Sequence, residues 1–366
     1  MQSNFTGKWA CIFEATIARM TEIQSGDAQL RSFLNIPSSL SAAAESASLR
    51  HGLTPWLCQD AYLRALDGDQ SQRVRIAYAR ERLQDEQQSF HLTTLSEAFE
   101  AHNMRALVIK GAALARQIYP QLGLRAKGDL DLWTPYSQLA QMRQLLSSLG
   151  YRSIPCNFGR FSQPEQSFIG QDRLNPVKID LHWEVSSRPL LARSFTFEAI
   201  WQSSVDFGYG RLIRAPDLVD ALLIAVIHRI GHHREDVRWV WLLDIDLIWR
   251  ALSREQQSLA YQAAKARGVF ALLNEALEST ASIFSTPVDF LDGPETLPPE
   301  LSAMLLNPRT SMLWIDFKSM EIVDFMKLCA EHAFPPNQFM QHRFGAHPNW
   351  LRGWFHVKRW VGSMRA

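Results

Sequence analysis

The chain has 366 residues, 46% of them hydrophobic and 20% charged, with a formal net charge of +1. That length allows a large core and two or three structural units. The near-neutral charge excludes a global attraction to nucleic acid or anionic membrane, so any polyanion site has to be a local patch.

The four cysteines, Cys11, Cys58, Cys156 and Cys329, are scattered and form no CxxC pair. This spacing supports neither a zinc site nor a disulfide framework and fits a reducing compartment. Glu14 and Arg19 interrupt the N-terminal apolar stretch, unlike a signal sequence. The apolar runs at 218–227 and 237–249 are too short or carry Asp220, Asp244 and Asp246, so no membrane span is expected. The chain reads as cytoplasmic.

Residues 1–90 read as helical, broken by Ser/Ala-rich stretches near Pro37 and at 41–48. The spacing of Leu92, Leu95 and Phe99 predicts a helix that closes near His102 and Asn103. The wholly apolar 106–109 has the form of a strand buried on both faces. Gly111 turns the chain into a helix over 112–119, stopped by Pro120.

Residues 129–133 alternate carboxylate with apolar residue, as a strand does. Thr134 and Pro135 read as N-cap and first-turn residue of a helix with Leu139, Met142, Leu146 and Leu149 on one face, ending at Gly150. Further strands are expected within 151–154, 167–170 and 177–183. After Pro216 the chain is helical again, over 218–228 and 237–252. A linker with Pro287, Pro298 and Pro299 precedes helices around 312–331 and 349–361. The expected class is α+β, with an N-terminal helical region at 1–90, a mixed core at 91–210 and a C-terminal helical domain at 211–366.

The chemistry concentrates in the mixed core. Asp129 and Asp131 are one residue apart on a strand and so point to the same face. Asp180, on a nearby strand, can add a third carboxylate. An oxygen-only set of this kind suits Mg²⁺ holding a nucleoside triphosphate. In nucleotidyl transfer a hydroxyl attacks the α-phosphorus while pyrophosphate leaves, and two ions about 3.5–4 Å apart stabilise both ends of the displacement. A glycine ahead of a helix, here Gly111, lets the backbone approach the phosphates.

The segments KGAALARQIYPQLGLRAKGDLDLW (110–133) and KIDLHW (178–183) resemble the uncharacterised nucleotidyltransferase family of the polymerase-β-type superfamily. The similarity extends upstream to RHGLTPWL (50–57) and downstream to the run LLIAVIHRIGHH…RWVWLLDID, covering about 45–285. It implies a mixed-sheet polymerase-β-like catalytic core flanked by N-terminal and C-terminal helical regions. It implies that Asp129 and Asp131 hold the metals, and that Asp180 completes one metal site and helps activate the nucleophile. Two Mg²⁺ ions are expected, with Mn²⁺ as an alternative, and an NTP such as ATP as donor. Gly111 matches the superfamily's glycine-rich turn, but this chain has Lys-Gly-Ala where better-known members have Gly-Ser or Gly-Gly. Lys110 would then supply charge in place of a hydroxyl. Arg125 matches a family arginine, suited to a bidentate phosphate contact. The acceptor is left open between a protein or peptide side chain, an RNA end and a small molecule, because one fold serves many acceptors.

Alternative readings stand beside these. Arg125 can be a counter-ion of the two aspartates, and Lys110 can reach solvent from the strand end. His228 and His232 lie four apart on one helix face. With Asp244 they would suit a metal phosphohydrolase; otherwise they are structural, or a wall of the nucleotide pocket. Asp244, if buried, needs a partner, with these histidines or Arg238 as candidates. His182 is expected to point away from Asp180, and Trp183 into the core. The C-terminal Trp350, Trp354, Val357 and Val361 share one helical face ringed by basic residues, either docked on the core or lying at a membrane surface. A non-catalytic nucleotide-sensing or protein-interaction module on the same fold is the further alternative.

Overall fold

The computed structural model describes residues 51–58, 67–155, 161, 163–170, 177–232, 238–288 and 320–344. The expectations for 1–50, for much of the linker and for the C-terminal tryptophan helix lie outside these residues.

A 3-10 turn at Thr54–Cys58 precedes the long helix α1, Gly68–His102. Asp67 opens α1 with a capping box, its side chain accepting from the backbone N–H of Gln70 while Gln70 reaches back. Asn103 closes it in the left-handed conformation at φ 52°. The apolar spacing shows only the last turns of this helix. Its earlier buried positions include Asp85, Gln88 and His91, which periodicity of apolar residues does not register.

Next come β1 (Ala106–Ile109), α2 (Lys110–Gln117), β2 (Leu130–Trp133) and α3 (Leu139–Ser148). The Thr134–Pro135 helix start is corrected. A short 3-10 turn at Tyr136–Gln138 intervenes, and α3 has no side-chain cap. Thr134 instead extends the strand. Its N–H donates to the His182 carbonyl and its hydroxyl to the Arg105 carbonyl.

The strands β3 (Arg152–Ser153), β4 (Glu165–Ile169) and β5 (Lys178–His182) follow, then short helices α4 (Pro189–Ala192) and α5 (Phe197–Ser203). Two strands not foreseen, β6 (Val205–Asp206) and β7 (Ile213–Ala215), complete a sheet of order β3-β4-β5-β2-β1-β7-β6. β1 runs antiparallel to β2 and parallel to β7, and β2 runs parallel to β5. The sheet is therefore mixed, the class is α+β, and its ladder continues past residue 210. Helices α6 (Leu218–His232), α7 (Trp239–Ala251), α8 (Arg254–Ala266) and α9 (Phe270–Phe284) pack together, and α10 (Ile322–Ala333) and α11 (Asn337–Phe344) follow. Among the described residues no helix is long and apolar enough to cross a membrane.

Strand alternation divides the interior. Ala106, Val108, Leu130, Leu132, Ile179 and Leu181 face a core shared with α1 and α3. Leu107, Ile109 and Trp133 face the opposite core, shared with α6 to α9. Asp131, Asp180 and His182 fall on that second face by the same period of two.

Candidate active site

The sheet ladder brings the aspartates together. β2 and β5 pair with Asp131 opposite Asp180, and β1 puts Ile109 opposite Asp131, so α2 begins beside the carboxylates. Asp129 immediately precedes β2, and its carbonyl accepts from Gln88 of α1 at 2.8 Å. Carboxylate oxygens of Asp129, Asp131 and Asp180 all lie within 4.8 Å of one another.

Each carboxylate has a different electrostatic setting. Asp131 accepts at Oδ1 from Lys110 Nζ at 2.8 Å, and His182 Nε2 lies 2.8 Å from the same oxygen. Burial opposes ionisation of Asp131, but Lys110 and His182 outweigh it and hold its carboxyl well below the usual range. Burial likewise opposes the Lys110 charge, and Asp131 overcomes it, so the ammonium titrates above its ordinary value. Lys110 does not reach out to solvent: its side chain is 16% exposed, on a left-handed backbone at φ 55°.

Asp129 goes the other way. Burial, then the charges of Asp131 and Asp180, push its carboxyl up to about 6. Asp180 accepts at Oδ1 from the Ser167 hydroxyl at 2.6 Å and at Oδ2 from Lys178 Nζ at 2.7 Å. Lys178 Nζ also lies 3.6 Å from Asp129 Oδ2. The expectation for His182 is corrected: it shares the face of Asp180 because the two are two residues apart, and its Nδ1 lies 3.4 Å from Glu165 Oε2. Trp183 is in the core, as expected. Lys178, Ser167 and Glu165 join this cluster without a sequence expectation, and His182 against one. The pattern Lys178-x-Asp180-x-His182 on one strand carried the signal for two of them.

A second polar group lies across the loop between α2 and β2. Arg125 is not the counter-ion of Asp129 or Asp131. It forms a buried bidentate pair with Asp244 of α7, Nε to Oδ1 at 2.9 Å and Nη2 to Oδ2 at 2.6 Å, and its Nη1 donates to the Ala126 carbonyl. Tyr119 donates its hydroxyl to Asp244 Oδ1 at 2.8 Å. The partners expected for Asp244, a histidine or Arg238, are therefore replaced by Arg125 and Tyr119. Beside them Lys127 pairs with Asp85 of α1 at 2.6 Å, and Asp85 Oδ2 accepts the Gly123 N–H. Burial lowers the Lys127 titration despite this partner. Gly111 serves the packing here, since a Cβ on it would lie 3.3 Å from Arg125 Nη1 and 3.4 Å from the Lys127 Cβ.

A cleft of about 660 Å³ joins the two groups; Lys110, Gly111, Arg125, the three aspartates, His182, Arg238 and Trp241 are among its lining. His228 also lines it, edge-on to Trp241 at 5.7 Å between ring centroids. The His232 side chain lies outside the described ones, and Asp244 is engaged by Arg125 and Tyr119.

A family model described as an uncharacterised nucleotidyltransferase matches residues 39–285, and the chain belongs to that family. No curated protein matches the chain. Among solved structures, the antibiotic-resistance factor ANT(2'')-Ia aligns at 16% identity over 52% of this chain and 95% of its own, with a TM-score of 0.33. An antigenic nucleotidyltransferase-like protein from Paracoccidioides brasiliensis aligns at 12% identity over 54% of this chain and 95% of its own, with a TM-score of 0.32.

The donor set fits a divalent cation. It is all oxygen, compact, and backed by hydrogen bonds from Lys110 and Ser167 that orient its carboxylates. The Lys178 ammonium, between Asp129 and Asp180, is a cation already held by two of the same ligands.

Proposed function

We infer that the protein is a Mg²⁺-dependent nucleotidyltransferase that moves an NMP group from an NTP to a hydroxyl-bearing acceptor, releasing pyrophosphate. The observation that carries this is the convergence of Asp129, Asp131 and Asp180 within 4.8 Å on one sheet face, at the floor of a cleft. In this reading the three carboxylates hold the metal. When bound, it neutralises charge on the triphosphate and on the attacking and leaving oxygens.

The chain's own residues do the rest. Lys110 and His182 fix Asp131 by one oxygen, Oδ1, which sets the direction of the other. Ser167 fixes Asp180 in the same way, and Asp180 is assigned the role of activating the acceptor hydroxyl. Gly111, in the first turn of α2, is assigned to the triphosphate, and the Arg125 and His228 side forms the wall of the nucleotide site. The acceptor stays open between a protein or peptide, an RNA end and a small molecule.

Calorimetry of each NTP, with and without Mg²⁺, tests this on the wild type and on Asp129→Asn. Mg²⁺-dependent binding that the variant loses is the expected result. Equal binding by both proteins, or none by the wild type, would reject the site.

A further inference from the structure

Two lysines stand among the three carboxylates, and they are held very differently. Lys110 is 16% exposed and is pinned between Asp131 and His182, 2.8 Å from one and 3.3 Å from the other. Lys178 is the first residue of β5, 39% exposed, on a flexible four-carbon stem. It holds Asp180 Oδ2 at 2.7 Å and lies 3.6 Å from Asp129 Oδ2, so its ammonium is within reach of two ligands of the inferred metal.

A divalent ion bound between those carboxylates would meet the charge of this ammonium at close range. The charge count points the same way. With Glu165 beside them, four carboxylates against two ammonium groups leave two net negative charges when all are ionised, half of what two divalent ions carry. A nucleoside triphosphate supplies further anions.

We propose that Lys178 is a built-in counter-ion that occupies the place between Asp129 and Asp180 until the divalent ion arrives, so that the site takes its metal as the metal–nucleotide complex in preference to the free ion. The proposal rests on the metal reading of the three aspartates. No bond is made or broken in the exchange: the ammonium leaves the carboxylates for solvent or phosphate, and the ion replaces it.

The test is titration with Mn²⁺ alone, read by the paramagnetic signal of the free ion and by calorimetry, and then with Mn²⁺ and ATP together. Lys178→Met should bind free Mn²⁺ roughly tenfold more tightly than the wild type, since the competing charge is gone while the stem remains. Lys178→Arg, which keeps the charge, should stay within about twofold of the wild type. With ATP present, the gap between wild type and Lys178→Met should narrow. Equal free-Mn²⁺ affinity in wild type and Lys178→Met, with Mn²⁺–ATP still bound, overturns the counter-ion role and leaves the proposed function standing. Failure of every protein to bind Mn²⁺ with or without ATP overturns the metal reading itself, and the counter-ion role with it.

Discussion

The cleft has two polar groups that look alike in composition and differ in how charge is settled. On the Arg125 side each cation has its own carboxylate: Arg125 with Asp244, Lys127 with Asp85, all four side chains buried. On the Asp131 side Asp129, Asp131 and Asp180 share two lysines, and burial, then the charges of its neighbours, push the Asp129 carboxyl up to about 6. The first group is a closed clamp that ties the 125–127 loop to α7 and to α1. The second is left short of positive charge and can accept more. Closed pairs favour one geometry; an incomplete set favours a ligand.

The difference can be tested by breaking each side in turn. Asp244→Ala leaves the Arg125 guanidinium and the Tyr119 hydroxyl buried without their acceptor, and should cost about 3–5 kcal/mol in urea denaturation. A loss below about 1 kcal/mol would mean that water replaces the carboxylate and that the clamp is not closed.

Asp129→Asn should do the opposite on the other side. Its carboxyl titrates near 6 in the fold, above the ordinary 3.8, so the fold favours the protonated form. The ionised group therefore costs stability above about pH 6 and nothing below its unfolded value. With Asp129 35% exposed and screened by solvent, the variant should gain about 1 kcal/mol at pH 8. Melting of the metal-free proteins across pH checks this: the gain should vanish below about pH 4, and a gain that persists there has another cause.

The smallest effect is expected where a pair belongs to neither group. Arg82 and Glu86 pair at 2.9 Å on the exposed face of α1, and Glu86→Gln should change stability by about 0.5 kcal/mol or less. A larger loss in the same denaturation series would erase the distinction between clamp and surface pair.

These groups were unequally legible in the sequence. Asp129, Asp131 and Asp180 could be read because strand alternation and hydrophobic runs are local signals. The same alternation places Lys178 and His182 on the face of Asp180. The pairing of Arg125 with Asp244 spans 119 residues and depends on how α7 packs, which no local pattern encodes. Strands β6 and β7 are two and three residues long, too short to show a period. The start of α1 falls within the stretch that reads as helical, but its bounds show no apolar period because its buried positions include Gln70, Asp85, Gln87 and Gln88.

The register of β2 against β5 has a consequence for how such a protein diversifies. The spacing between Asp131 and Asp180 is set by main-chain hydrogen bonds across a parallel pair, not by loops or side-chain packing. Residues at the cleft rim, such as Ser186, Ser187 and Arg238, stand on other segments. Insertions and substitutions there alter what the cleft admits without changing the distance between the two strand carboxylates. Selectivity and carboxylate spacing are in this sense separately heritable, and a lineage can explore new ligands while that spacing stays fixed.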